Sequence, residues 1–339
     1  MRKVFGFWIV FVLGIVLLLS ACGEQSQEDV VGNLEKSMEE LEGYKAEAEM
    51  NMKTGQEDQT FSIDVWHKKS DFYRVSLSNE QDDEESQIIL KNEDGVFVLT
   101  PALEKNFKFQ SDWPENSSQP YLYQSLINDV VTDAEAEFES TDSHYIFRTK
   151  TNYQSNNNLP FQEIHFDKKT YTPVLVKVLD NDGNALVEVN FSSFNKEAAF
   201  EDDDFTMEKN MAQGSADEPT SAQVAEDRPF TVVFPSYMAG AELTEQKDVE
   251  LEDGQRVILS YTGDKNFTLV QEQLDVQPTL SSPQEVNGEI VNLGHAIGAI
   301  SENIITWSSG GMDFLLASDQ LTQEELVQVA QSVQEQEVK

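Results

Sequence analysis

The chain has a single cysteine, Cys22, in 339 residues, so no disulfide can form within it. Its stability has to come from burial. Positive charge is scarce as well: 23 Lys and Arg stand against 62 Asp and Glu, a formal net charge of −39. A surface this acidic repels phosphates and anionic headgroups, which excludes nucleic acid as a partner and a basic patch as a membrane attachment. Solubility explains such a charge without a specific cation. There are only four histidines, His67, His144, His165 and His295, and none has a histidine or cysteine three or four residues on. That scatter supplies neither a metal-ligand motif nor a catalytic pair. Phosphate-cradling glycine motifs and Gly-x-Ser-x-Gly are absent. The expectation is a protein with no cofactor, no metal and no enzymatic reaction.

Long apolar runs are also lacking, with one exception at the start. Arg2 and Lys3 precede a run from Val4 to Leu19, broken only by Gly6 and Gly14, and the run ends in Leu19-Ser20-Ala21-Cys22. A charged start, an apolar middle and small residues at the end make a secretory signal. The run falls below the roughly 20 residues that a spanning helix needs. Its ending resembles the bacterial lipobox. That resemblance implies a diacylglycerol on the sulfur of Cys22, cleavage before it, and a chain tethered at the extracytoplasmic face of the cell membrane. Two acyl chains hold stably where one is marginal, because each buried CH₂ contributes about 0.8 kcal/mol. Residues 1–21 are then the leader and 22–29 a polar tether.

Hydrophobic residues make up 39% of the chain and include 20 Phe, enough for a packed core. They are also patterned. Val30, Leu34, Met38 and Leu41 recur at helical spacing, and Gly43 is expected to stop that helix. The period then becomes two. Ala46, Ala48, Met50 and Met52 alternate with polar residues, as do Phe61, Ile63 and Val65, and then Tyr73, Val75 and Leu77. This is the pattern of half-buried antiparallel strands. Further strands are expected at 87–92, 96–101 and 106–110, with the Asp94-Gly95 turn between the first two. Pro120 opens a helical stretch carrying Leu122, Leu126 and Val130 on one face. Strands return at 145–149, 162–167, 174–179 and 186–191.

The pattern dissolves after Glu201, and residues 207–227 read as a linker. Short strands are expected again at 231–234, 257–261, 267–271, 289–293, 304–307 and 312–317. The closing helix is marked by Thr322 and Glu325 at capping-box spacing and Leu321 and Leu326 at staple spacing. The acidic runs Asp82–Glu85 and Glu201–Asp204 read as solvated loop tips, with weak divalent binding as a minor alternative. The segment Asp180–Asn184 lacks the spacing of a calcium loop and reads as a hairpin turn.

A long meander with one oily face must cover that face, and two helices are at hand to do it. The candidate apolar face comprises Leu34, Met38, Leu41, Met50, Met52, Phe61, Ile63, Val65, Leu122, Leu126 and Val130. Whether the helices fill the concave side or leave a cavity stays open at this point, and methionines suit either outcome.

The order of elements carries a resemblance. A helix ending in Leu41-Glu42-Gly43-Tyr44 runs into a strand at Lys45–Lys53. A long meander follows, then a helix near Leu122–Val131, then the final strands. This resembles the LolA/LolB-like lipoprotein carriers over about residues 28–206, and within them the lipid-anchored sporulation lipoproteins of the YdcC/GerS type. Residues 228–339, with Ile305-Thr306-Trp307 and Leu321–Leu326, resemble a small domain that follows in such lipoproteins. The resemblance implies an α+β fold: an incomplete antiparallel β-barrel (a LolA-like half-barrel) at residues 30–206 wrapped around helices, then a linker and a small α+β domain. It implies a non-enzymatic lipoprotein that binds an acyl chain or an envelope partner protein, or else a pure interaction scaffold with no lipid cavity.

Overall fold

The computed structural model describes residues 25–53, 59–79, 82–111, 113–115, 117–153, 159–213, 230–252, 254–274, 283–286, 288–293 and 296–334. Helix α1 (Gln27–Glu39) opens with a capping box. The Ser26 hydroxyl accepts the Asp29 N–H, and the Asp29 carboxylate takes the Ser26 N–H. Its Val30 and Leu34 are fully buried. The helix ends at Glu39, and Gly43 serves another purpose: it is the first residue of β1 (Gly43–Met52), where a Cβ would lie 2.6 Å from the His67 carbonyl oxygen.

The meander continues through β2 (Gln59–Lys68), β3 (Phe72–Asn79), β4 (Asp82–Asn92), β5 (Gly95–Thr100) and β6 (Lys105–Phe109). Helix α2 (Tyr123–Thr132) starts three residues after Pro120, because Leu122 still holds extended backbone. Next come β7 (Glu137–Ser140), β8 (His144–Lys150), β9 (Phe161–Asp167), β10 (Pro173–Leu179) and β11 (Ala185–Asn195). Strand β11 returns to pair with β1, so eleven consecutive strands form one open sheet. One inward row runs Ala46–Val65–Val75–Ile89–Val98–Phe107 across β1 to β6. Another runs Met50–Val189–Val176–Ile164–Phe147 across β1 and β11 to β8. These rows share one core with Val30, Leu34, Leu126, Ile127 and Val130 of the two helices. The architecture is an incomplete β-barrel wrapped around α1 and α2.

Strands β4 and β5 are buried on both faces, which explains their unbroken apolar runs. On the outer side Ile88, Leu90, Phe97 and Leu99 pack with Phe205, Met207 and Met211. The last two belong to helix α3 (Met207–Gln213), in the stretch whose composition reads as a linker. Asn210 on this helix accepts from Arg74 Nε at 2.6 Å. The acidic run Asp82–Glu85 falls within the bounds of β4, at its start, where the pairing with β3 is irregular between Leu77–Gln87 and Asn79–Asp82.

In the second region β12 (Phe234–Pro235) is shorter than expected. A seven-stranded sheet follows, built from β13 (Ala241–Leu251), β14 (Gly254–Gly263), β15 (Phe267–Leu274), β17 (Glu289–Asn292), β18 (Ile297–Ile300), β19 (Ile304–Ser309) and β20 (Met312–Ala317). Helix α4 (Gln323–Gln331) has the anticipated Thr322–Glu325 capping box and packs Leu326, Val329 and Ala330 on that sheet. Strand β21 (Val333–Gln334) closes against β12. One element leaves its neighbours: β16 (Gln284–Val286) pairs in parallel with β6, making it the twelfth strand of the first sheet. At Gly288, φ is +146°, and the chain passes back to the second sheet.

Candidate functional site

Aromatic side chains pack between the half-barrel and its helices. Tyr44 is fully buried, stacks on Phe194 at 4.7 Å between ring centroids, and accepts the Tyr123 N–H at 3.2 Å. Tyr123 lies edge-on to both rings. Its hydroxyl bonds the Tyr171 carbonyl at 2.8 Å and the Ser37 hydroxyl at 3.0 Å. These aromatic residues pack in one core with Val30 and Leu34 of α1 and Leu126 and Ile127 of α2.

Space remains at the mouth, where the second region meets the first. A cavity of about 130 Å³ lies between Met50 and Met52 of β1, Val187 of β11, Tyr121, Tyr153 and Leu159 on one side, and Ile290, Val291, Ile297, Ile300 and Val327 on the other. The segment before α2 forms its wall and is pinned by polar contacts. The Gln119 N–H donates to Ser125 Oγ at 2.8 Å, the Tyr121 hydroxyl to Gln119 Oε1 at 2.9 Å, and the Asn152 N–H to Ser118 Oγ at 2.7 Å.

Beside this wall Asp129 is buried on α2 and accepts from Gln162 Nε2 at 2.6 Å. Burial pushes its carboxyl up to about 6, although the bonds from Gln162 and Ser118 pull the other way. Burial also raises the phenol of Tyr153.

Besides the pairing of β16 with β6, three contacts through side chains clasp the two regions together among the described residues. The Ile297 N–H donates to Gln87 Oε1 at 2.6 Å, Lys105 Nζ lies 2.6 Å from Asp313, and Ser111 Oγ donates to Glu289 at 2.8 Å. Ile297 and Ala299 of β18 reach far enough to belong to the first core.

The expected apolar face gathers as one surface. Leu34, Leu41, Met50, Met52, Phe61, Ile63, Val65, Leu122, Leu126 and Val130 are buried in the shared core, and Met38 packs half-buried against it. Of these, only Met50 and Met52 line the cavity. Leu19, Ser20, Ala21 and Cys22 lie outside the described residues, as does His295. His67 is buried against the rings of Tyr44 and Tyr73, and burial lowers its pKa to about 4. His144 and His165 come together with ring centroids 6.2 Å apart, and His165 Nε2 sits 2.6 Å from Glu163.

At the acidic run Glu201–Asp204, the Lys209 ammonium lies 2.9, 2.8 and 2.8 Å from Glu201, Asp203 and Asp204. These bonds raise the pKa of Lys209, so a side chain of the protein supplies the cation that such a cluster would otherwise attract. In the Asp180 turn, the Asp180 carboxylate accepts the N–H groups of Asp182 at 2.9 Å and Asn184 at 2.7 Å, as a hairpin turn requires.

Sequence reasoning missed the mouth itself. Tyr121, Tyr153, Ile297 and Gln87 carry no motif, and contacts between residues 87 and 297 leave no local period. The one available signal was Ala296–Ile300, a short apolar run whose polar-free character fits a strand buried on both faces.

Known proteins resemble this chain in sequence and in fold. A family model described as Sporulation protein YdcC-like matches residues 1–205. Sporulation protein YdcC of Bacillus subtilis (strain 168) is 46% identical over 342 residues, covering 100% of both chains. Among solved structures, Pseudomonas aeruginosa MucB in its complex with MucA aligns over 91% of this chain and 98% of that one, at 15% identity and a TM-score of 0.35. A LolA superfamily protein from Nitrosomonas europaea aligns over 55% of this chain and 100% of its own, at 9% identity and a TM-score of 0.31. From the family match and the full-length identity, the chain belongs to the YdcC-like family of sporulation proteins.

Proposed function

We propose that this chain is a non-enzymatic lipoprotein of sporulation, anchored at the extracytoplasmic face of the cell membrane by a diacylglycerol on Cys22, that binds an apolar group at the mouth of its half-barrel. The observation that carries the binding reading is the cavity of about 130 Å³ between Met50, Met52, Val187, Ile297 and Val327. Burial of apolar area there would drive binding at about 25 cal/mol per Å². Methionine liners adapt to ligands of differing outline.

The size of the cavity bounds the ligand. An apolar cavity of about 150 Å³ holds a molecule as small as benzene. This mouth therefore suits the end of one acyl chain or one apolar side chain of an envelope partner, rather than the full lipid of a transported lipoprotein. The same size supports the alternative of a scaffold that docks a partner without carrying lipid.

The test is a fluorescence titration of the full-length lipoprotein in detergent with cis-parinaric acid, beside Val187→Phe and Val327→Phe. Filling the mouth is expected to weaken binding at least about tenfold, the loss of roughly 1.4 kcal/mol of contact. Unchanged binding in both variants would remove the mouth as the site. No binding by the parent protein would leave docking of a protein side chain as the reading.

A further inference from the structure

Strand β13 is the outermost strand of the second sheet and, among the described residues, pairs with β14 alone. It is 11 residues long, and from Glu242 to Asp248 every side chain is exposed. Over 242–248 both faces of this strand are open to solvent, and a bulge between Leu243 and Glu245 interrupts its ladder with β14. Alternate backbone N–H and C=O groups along such an edge point outward without a ladder partner, a ready template for another strand.

Two features decide what that template accepts. The first is charge. Glu242, Glu245, Asp248 and Glu250 are set along the strand against a single base, Lys247. No described residue forms a salt bridge with those four carboxylates. Arg256, on the neighbouring β14, is engaged by Glu272 at 2.6 Å from its Nε. The second is an apolar anchor point. Of the four large hydrophobic residues exposed among the described residues, three, Tyr237, Met238 and Leu243, lie at or just before the start of β13.

A second copy of this chain fits poorly. Antiparallel self-pairing would set like charges against each other, between molecules that each carry a net charge of −39. We infer that the free edge of β13 is a docking site for an extended, lysine- or arginine-rich segment of a partner protein, which adds a strand to the second sheet and seats an apolar side chain near Leu243. Main-chain bonds would supply affinity, and the carboxylates, Glu242 and Glu245 on one face and Asp248 and Glu250 on the other, would supply selectivity. This inference stands apart from the mouth cavity. Strand β17, which lines that cavity, is at the opposite edge of the same sheet.

The test uses the full-length lipoprotein in detergent and an acetylated, amidated peptide of lysine alternating with valine, matched to the 11 residues of β13. Its control is the same peptide N-methylated at every second amide, which keeps the charge and removes strand pairing. The expected result is salt-sensitive binding that slows hydrogen exchange across 241–251. The N-methylated control and the variant Glu242→Lys/Glu245→Lys/Glu250→Lys should each bind at least about tenfold more weakly. Equal affinity for the control peptide, undiminished binding by the variant, or no binding at all overturns the proposal. So does a concentration-dependent dimer that the triple substitution dissolves, since it would assign the edge to a second copy. If the triple variant melts early, the exchange map of the parent protein with the two peptides decides alone.

Discussion

The Ile297 backbone N–H donates to the Gln87 side-chain oxygen at 2.6 Å across 210 residues of sequence. Both residues are buried, so this bond joins the second region to β4 where water cannot substitute for either partner. Gln87→Leu keeps the volume and leaves the Ile297 N–H without an acceptor. The expected cost is about 1–3 kcal/mol, the usual penalty for an orphaned buried donor. Urea unfolding measures it, and hydrogen exchange across 296–300 localises it. Exchange as slow as in the parent protein would mean that apolar packing holds β18 without this bond.

Two buried titratable groups pull the acid stability of the protein in opposite directions. Asp129 has its pKa raised to about 6, chiefly by burial. Between pH 4 and 6 the folded chain therefore holds a proton that the unfolded chain has released, and this contribution to stability falls as pH rises. His67 has its pKa lowered to about 4, also by burial. Between pH 4 and 6.5 the unfolded chain holds the extra proton, and this contribution rises with pH. The two slopes nearly cancel. Asp129→Asn removes one of them and keeps an acceptor for Gln162. At pH 7 it should stabilise the chain by roughly 2–3 kcal/mol, and the gain should vanish below about pH 4. Thermal melts from pH 4 to 7 would show a steeper loss of stability with acid in the variant. A parallel curve would show that Asp129 titrates as an ordinary carboxylate.

Gly288 sits where the chain leaves the first sheet and enters the second. Its φ of +146° suits glycine, and a Cβ there would lie 2.6 Å from the Ile300 carbonyl oxygen. Gly288→Ala must shift backbone, and a cost of about 1–3 kcal/mol is expected. The loss should concentrate in β16 to β18, which proteolysis of the folded protein would report. Alanine tolerated at wild-type stability would mean that this crossing can relax.

The half-barrel was legible because strands such as β1, β2 and β3 obey a period of two over one shared core, while β4 and β5 show as short apolar runs. Ala46, Val65, Val75, Ile89 and Val98 fall in a single inward row, and each strand announces its own member. Helix α4 was legible from Thr322, Glu325, Leu321 and Leu326 alone. Strand β13 was not, because Ala241–Leu251 is an edge open on both faces and has no apolar side to alternate. Helix α3 was hidden for the opposite reason: Met207 and Met211 cover an outer patch on β4 and β5 whose existence no local pattern reveals. The mouth cavity lies between regions that Gln87–Ile297 and Lys105–Asp313 join, and separations of that size leave no periodic trace.

The anchor can be tested against the charge of the chain itself. With a net charge of −39 the folded protein is repelled by anionic lipid, so no electrostatic attraction would hold it at a membrane. On the proposed reading attachment would come from acyl chains, and two are needed for a stable hold. Mass spectrometry of the amino-terminal peptide is expected to find a diacylglycerol thioether on Cys22, and an alkaline carbonate wash should leave the protein in the membrane pellet. A chain that starts at residue 23 should move wholly to the soluble fraction. Retention of that chain at high salt would require another apolar contact with the bilayer, and Tyr237, Met238 and Leu243 would be the first residues to substitute. An unmodified thiol at Cys22 would end the lipoprotein reading, while leaving the fold and the mouth cavity untouched.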